Sequence, residues 1–475
     1  MATHIGQLAQ EVAAQNPWWR DPKWETRDRD LLDASQSGLR YRSGALDNLT
    51  PGCLYVLRGP RRVGKTVTIK QLVSDLIADG TPPLHIVRVA VDGWAAKDLR
   101  TLTQRVTLPP VPDGTTQFWL LDEVTAVAGD WPAQIKWLRD NDPAFAAATV
   151  VLTGSSAAGL TDAAGVLAGR RGRGVNLDRT LLPMGFRTFA QQVLGPRAPQ
   201  AEPLPLSDLK APAAARAYVD LVPWLDELVR TWELYLTYGG YPVATAAAIT
   251  GQPVPEWFVN DLFDVVANDL FRGSQLPAQT EMALLERLWS TVSSFAVASD
   301  IGRDVGVSYE VAQRHMGYLR NGYLLWSCPQ KDDSRWTAKD RTQDKVYAVD
   351  PLVARMPHLR NPERRDIDPT ALTEMQIGNA IRRRVFAEDR RSPADDVLFH
   401  VRTPARKEID FVSGHLAGVA IEGKYTEGAW KSAAATVNAS AWLGILATRN
   451  VLDVTGSTAE AWAVPAGTLA YLLDT

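Results

Sequence analysis

The octapeptide Gly59-Pro60-Arg61-Arg62-Val63-Gly64-Lys65-Thr66 satisfies the phosphate-binding loop pattern G-x-x-x-x-G-K-[ST], the Walker A motif, at every fixed position. Such a loop has to leave a strand and open a helix. The apolar run Cys53-Leu54-Tyr55-Val56-Leu57 before it reads as a buried strand, and Ile69, Leu72, Val73, Leu76 and Ile77 after it fall on one helical face. Glycine-permitted backbone angles let successive N–H groups converge on phosphate oxygens, and the helix adds its positive N-terminal dipole. In that frame Lys65 reaches the β- and γ-phosphates, Thr66 offers its hydroxyl to Mg²⁺, and Val67 closes the loop. The segment therefore predicts a nucleoside triphosphate site. No guanine-specific Asn-Lys-x-Asp segment accompanies it, which leans the reading toward ATP.

A second apolar run, Phe118-Trp119-Leu120-Leu121, ends in Asp122-Glu123. Adjacent side chains at a strand end point to opposite sides, so two neighbouring acids can take different tasks. Asp122 is expected to support Mg²⁺, and Glu123 to polarise the attacking water. A third strand, Thr149-Val150-Val151-Leu152-Thr153, runs into Gly154-Ser155-Ser156, where Thr153 or Ser155 either senses the γ-phosphate or caps the next helix. Arg170, Arg171 and Arg173, in Gly169-Arg170-Arg171-Gly172-Arg173, are candidate arginine fingers, acting on their own nucleotide or a neighbour's.

These motifs resemble those of P-loop ATPases of the AAA superfamily, AAA_14-like, that carry a C-terminal domain of unknown function numbered 4143. The resemblance covers nearly the whole chain and rests on GPRRVGKT at 59–66, LLDEV at 120–124, LTGSSA at 152–157, GRRGR at 169–173, LLPMGFRTF at 181–189, YGGYP at 238–242, EIDFV at 408–412 and IEGKY at 421–425. It implies an ATPase followed by a helical, winged-helix-bearing segment and a terminal domain similar to restriction endonucleases. The expected fold is α/β: a P-loop NTPase parallel sheet with helices on both faces, then the winged-helix region, then an α/β restriction-endonuclease-like domain.

At 475 residues the chain exceeds one ordinary hydrophobic core. The expected divisions are an N-terminal extension at 1–50, the ATPase at 51–194, a linker and helical region at 195–370, and the endonuclease-like domain at 371–475. Trp18, Trp19 and Trp24 suggest that the extension packs on the ATPase. Apolar content of 45% and charged content of 22% exclude a wholly disordered protein. No apolar stretch has bilayer length and the N-terminus lacks a secretory core, so a cytoplasmic protein with no membrane partner is expected. Cys53 and Cys328 encode neither a disulfide framework nor a zinc site. A net charge of −3 gives no global attraction to nucleic acid, which leaves DNA binding to a local basic face.

Such a face is sought near 280–330, where helical runs at 281–289, 297–305 and 309–320 precede the apolar run at 322–326. This order looks like a winged helix-turn-helix, with Gln313, Arg314 and Arg320 as candidate DNA contacts. In the terminal domain, 408–412 and 418–425 read as a hairpin that places Asp410 beside Glu422 and Lys424. Two carboxylates and a lysine are the nuclease arrangement the resemblance implies. Gly378 stands where relatives commonly carry a glutamate, with Glu374 one helical turn earlier as the substitute. The functional reading is an ATPase using ATP and Mg²⁺. Its alternatives are a nucleotide-gated DNA-binding switch with slow hydrolysis and an ATP-licensed nuclease, and a homo-oligomer is expected if an arginine acts in trans.

Overall fold

The computed structural model describes residues 2–474 apart from 107–115, 155–159, 161, 162, 164, 272–275, 293, 390–396, 404–406, 429 and 458. The chain divides after Leu182 into two compact units, Met1–Leu182 and Pro183–Thr475.

Five short strands organise the first unit: β1 at Leu54–Arg58, β2 at Ile86–Ala90, β3 at Phe118–Asp122, β4 at Thr149–Thr153 and β5 at Asp178–Thr180. They form one parallel sheet in the order β2-β3-β4-β1-β5. β1, β3 and β4 are buried at every residue, as the near-continuous apolar runs require when both faces of a parallel sheet are covered. Because β4 lies between β1 and β3, the end of β4 sits between the loop that leaves β1 and the acids that end β3.

The edge strand β2 is finished by side chains. Asn16 donates from Nδ2 to Arg88 O at 2.8 Å and accepts from Arg88 N at 2.7 Å, while Gln15 Oε1 accepts from Ala90 N at 2.7 Å. The indoles of Trp18 and Trp19 donate to Ile86 O at 3.0 and 2.9 Å. An open edge would offer these backbone groups to another chain. The tryptophan-rich N-terminal segment is thus part of the sheet unit. Lys70 completes the attachment, binding Asp28 and Asp30 at 2.7 Å each and pinning the helix Arg29–Gln36 to the helix Lys65–Ala78.

In the second unit the helices Phe186–Leu194, Leu225–Tyr238, Pro369–Asp389 and Ala466–Leu473 meet around aromatic rings. Phe186 stands 4.9 Å from Trp232, and Phe189 stands 5.1 Å from Tyr235. Helix Ala466–Leu473 is buried at every residue, and Asp474 just beyond it accepts from Phe186 N at 2.7 Å and from Arg383 at 2.9 Å. Helix 186–194, expected to close the ATPase, packs here instead because its apolar face carries those phenylalanines.

Two sheets flank the helix Pro369–Asp389. The small one, antiparallel in the order β6-β8-β7, contains β6 at Ser294–Ala296, β7 at Leu325–Cys328 and β8 at Asp344–Ala348. Helices Ala278–Trp289, Ala298–Val305 and Tyr309–Asn321 precede its last two strands. The larger one holds β9 at Phe399–Arg402, β10 at Glu408–Val412, β11 at Val419–Gly423, β12 at Leu443–Thr448 and β13 at Trp462–Pro465, in the order β13-β12-β11-β10-β9. β9, β10 and β11 pair antiparallel, whereas β12 and β13 run parallel to β11. Asn379 joins the helix to the small sheet, accepting from the Trp326 indole at 2.7 Å and donating to Ala348 O and Val349 O at 2.9 and 3.1 Å.

The motifs LLPMGFRTF and YGGYP turn out to be one contact. Met184 N donates to Gly240 O at 2.8 Å, and a Cβ on Gly240 would lie 2.0 Å from Met184 O. Gly239, at φ +73°, faces Asp350, whose carboxylate accepts from Gly240 N at 2.7 Å and Leu352 N at 2.8 Å. Gly240→Ala therefore has to displace backbone, and equilibrium urea unfolding is expected to show a loss of about 3 kcal/mol. Burial pushes the Asp350 carboxyl up to about 7, against the pull of the two N–H donors and Arg383. An unfolded aspartate titrates near ~3.9, so between that pH and about 7 the native state holds the extra proton and stability declines as pH rises. Asp350→Asn is expected to flatten this decline in unfolding curves taken from pH 4.5 to 7.5, ranges set by those two titrations.

Candidate functional site

The loop between β1 and helix Lys65–Ala78 is held by its own chain. Gly59 takes φ +151° because Leu181 O lies 2.0 Å from where a Cβ would be, and Leu181 N donates to Arg58 O at 2.8 Å. Arg62 and Gly64 also take positive φ, 64° and 99°, which turns the loop into the helix with its N–H groups directed to the loop's concave side. Lys65 Nζ donates to Gly59 O and Pro60 O at 2.8 Å each, so the ammonium lies across the loop, largely buried.

Four polar side chains then link the loop to the ends of β3 and β4. Thr66 Oγ1 donates to Asp122 Oδ2 at 3.1 Å, and Thr153 Oγ1 donates to Asp122 Oδ1 at 2.6 Å. Thr153 Oγ1 in turn accepts from Glu123 N at 3.0 Å. The parallel register explains the meeting, since Leu121 lies opposite Leu152 and the next residues, Asp122 and Thr153, end their strands side by side. Glu123 is no longer strand: at φ 62° its backbone turns away, and its Oε1 accepts from Thr125 at 3.1 Å. Gly154 is obligatory at this point, because a Cβ there would lie 2.6 Å from the Thr125 methyl.

Arg88 was not legible as a site residue. It binds Asp122 Oδ2 through Nη2 at 2.6 Å, with both side chains almost buried. Arg88 lies opposite Leu120, so strand alternation puts it on the face of Asp122, two residues further on. The available signal was a lone arginine inside the apolar run Ile86–Ala90.

The arginines 170–173 lie elsewhere. Arg170 binds Asp140 at 2.7 Å and Arg171 binds Asp178 at 2.7 Å. Arg171 O accepts from Leu54 N at 2.9 Å and Gly172 packs on Cys53, which places this segment at the start of β1. Gly59 leaves the other end of that strand, roughly 13 Å away at the usual rise per residue. Arg173 is exposed. The arginines are thus not brought to their own chain's loop, and Ser155 lies outside the described residues.

In the second unit, Asp410 and Glu422 do come together with Lys424. Asp410 Oδ2 accepts from Gly423 N at 3.0 Å, and Lys424 Nζ lies 3.5 Å from Glu422 Oε2. Glu374 joins them: it receives Tyr347 Oη at 2.5 Å and Lys345 Nζ at 2.8 Å. Gly378 cannot carry an acid here, because a Cβ would lie 2.8 Å from the Phe411 ring, and Gly423 lets β11 approach Glu374 Cα to 2.8 Å of the same test position. Burial raises the Glu422 carboxyl to about 7, with Asp410 adding and Lys424 opposing; burial and Asp410 likewise push Glu374 up, against Lys345. Among the described residues, no three His, Cys, Asp or Glu are arranged to hold a metal ion. Gln313 and Arg314 are exposed on helix Tyr309–Asn321, and Arg320 lies 3.7 Å from Asp344. No helix among the described residues is long and apolar enough to cross a membrane.

Comparison with known proteins matches residues 53–190 to the family described as an AAA domain, and residues 229–361 to a domain of unknown function numbered 8612, where the resemblance implied 4143. No curated protein matches the chain. Solved structures similar to it include a Walker-type ATPase of Pyrococcus abyssi, 11% identical over 72% of this chain and 95% of that one, TM-score 0.41. The ORC2 protein of Aeropyrum pernix is 12% identical over 71% of this chain and 95% of its own, TM-score 0.31. The Holliday junction branch migration motor RuvB of Thermotoga maritima is 12% identical over 58% and 82%, TM-score 0.23. The parallel sheet, the Walker A loop and the family match at 53–190 together make the first unit an AAA-like P-loop ATPase domain.

Thr153 is the joint between Asp122 and the Glu123 backbone. Thr153→Val is expected to lower stability by about 1–3 kcal/mol in chemical denaturation, by stranding a buried carboxylate oxygen and an N–H, while Thr153→Ser stays near the parent.

Proposed function

We propose that the chain binds ATP with Mg²⁺, hydrolyses it, and couples the nucleotide state to its C-terminal region. The observation that carries this reading is the continuous link Thr66–Asp122–Thr153–Glu123. It joins the phosphate-binding loop to the strand-end acids through hard oxygen donors, the donor type that Mg²⁺ takes. The N–H groups of Gly59 to Val67 and the Lys65 ammonium bind the phosphates. Thr66 and Asp122 hold Mg²⁺, which neutralises charge on the triphosphate. Glu123 is the general base that takes a proton from the attacking water.

One contact favours the slow-hydrolysis alternative. The Glu123 carboxylate is tethered to Thr125 and its backbone to Thr153, so activating water requires the carboxylate to leave Thr125. A nucleotide-gated switch, in which occupancy is the signal, follows if that release is slow. Arg170, Arg171 and Arg173 assist only a neighbour's nucleotide in this reading, within a homo-oligomer. The helices and strands at 278–348 follow the order of a winged helix, and DNA is the proposed partner, met by Gln313 and Arg314 with Arg320. The helix Pro369–Asp389 followed by β9 to β12 supports a restriction-endonuclease-like fold for 371–475. A cytoplasmic location completes the proposal.

Phosphate release from ATP by the full-length protein, with and without duplex or single-stranded DNA, tests the reading. Lys65→Ala is expected to abolish nucleotide binding and turnover together. Glu123→Gln is expected to keep binding and lose about a hundredfold or more in turnover, the scale of a missing general base. Parent-like turnover in Glu123→Gln removes that residue's role, and binding without turnover in the parent leaves the switch.

A further inference from the structure

Lys345 reaches out of β8 into the carboxylates of the larger sheet. Its side chain is 8% exposed, and Nζ lies 2.8 Å from Glu374 Oε1 and 3.1 Å from Asp410 Oδ1 and also pairs with Glu408. Three acids, from helix Pro369–Asp389 and β10, thus converge on one cation delivered by a third element. Tyr347, two residues along β8 and so on the same face, fixes Glu374 from the same side. Burial works against the ammonium, yet Asp410, Glu374 and Glu408 outweigh it and hold the proton above the usual lysine range.

The charges around this cation do not balance. Glu374, Glu408, Asp410 and Glu422 are four acids, while Lys345 and Lys424 are two cations. Glu422 is 1% exposed, and its Oε1 has no hydrogen-bond partner; only Oε2 faces Lys424. An excess of carboxylates with an unpartnered buried oxygen is the surrounding that a hard divalent cation takes up, and an unmatched buried charge is costly. Lys345 occupies the point where those acids would otherwise meet a metal.

We infer that Lys345 is a built-in cation that keeps this acidic centre closed to divalent metal, and that removing its charge opens a Mg²⁺- or Mn²⁺-binding site formed by Glu374, Asp410 and Glu422. The lock and the acids belong to different sheets. The centre therefore opens only when β8 withdraws its lysine from β10 and the helix, and in the closed state the endonuclease-like domain holds no metal with which to cut. The inference rests on the second unit alone and stands whether or not the first unit hydrolyses ATP.

Mn²⁺ binding to the full-length protein, followed by electron paramagnetic resonance without nucleotide and in a Lys65→Ala background, tests it. The background protein and its Lys345→Arg variant are expected to show no Mn²⁺ that depends on Asp410. Lys345→Met is expected to gain one Mn²⁺ per chain, to show a melting temperature that rises with Mn²⁺, and to lose both when Asp410→Asn is added. Asp410-dependent Mn²⁺ binding before Lys345 is changed overturns the lock, as does a folded Lys345→Met that binds none. If Lys345→Met folds only when Mn²⁺ is supplied, the metal has replaced the lysine's charge and the inference holds. If it folds under neither condition, the comparison of the background protein with its Asp410→Asn variant decides.

Discussion

A carboxylate buried at the end of a strand has to be met by positive charge or by donors, and both units are arranged around that demand. Asp122 receives two hydroxyls and Arg88. Asp410 receives a backbone N–H and Lys345, and Asp474 receives Arg383 and the first N–H of a helix. Asp350 has two N–H donors and no salt bridge among the described contacts, and it is the one whose carboxyl rises toward neutrality. Desolvation acts on every member of the set; what differs is whether a side-chain cation was supplied nearby.

That difference also separates structural acids from those available for chemistry. Asp474 is spent on holding the last helix. Asp122 keeps a hydroxyl of the phosphate loop as one of its partners, so exchange of that partner for a metal–oxygen contact disturbs little else. The acids near Lys345 are intermediate: a flexible four-carbon stem carries their counter-charge, and such a stem changes place more readily than a backbone amide.

What could be read from the sequence was local. The strand before the loop, the helix after it and the strand ending in Asp122-Glu123 follow from runs of a few residues, and each lies where its pattern put it. The Thr66 to Asp122 bond spans 56 residues, yet it was legible because two recognisable motifs stand at its ends. Lys345 is 29 residues from Glu374 and 65 from Asp410 and has no motif of its own, so nothing in its neighbourhood announced its role. Arg88 was hidden for a related reason, since its partner is set by sheet order and register. The placement of helix 186–194 was missed because an apolar face shows that a helix is buried without showing against what.

The side chains that finish β2 carry a consequence for how the protein is made. Asn16 and Arg88 are separated by 72 positions, so residues 15–19 leave the ribosome long before the strand they cover exists. Until then two indoles and two amide side chains have no backbone to bind, and until β3 follows, β2 has no neighbour on either side. Closing this edge is necessarily a late event of synthesis, because contacts so distant along the chain form only after the intervening loop has been ordered. During that interval the nascent chain carries both an exposed aromatic cluster and an unpaired strand, the two features by which an emerging polypeptide engages chaperones or a second copy of itself.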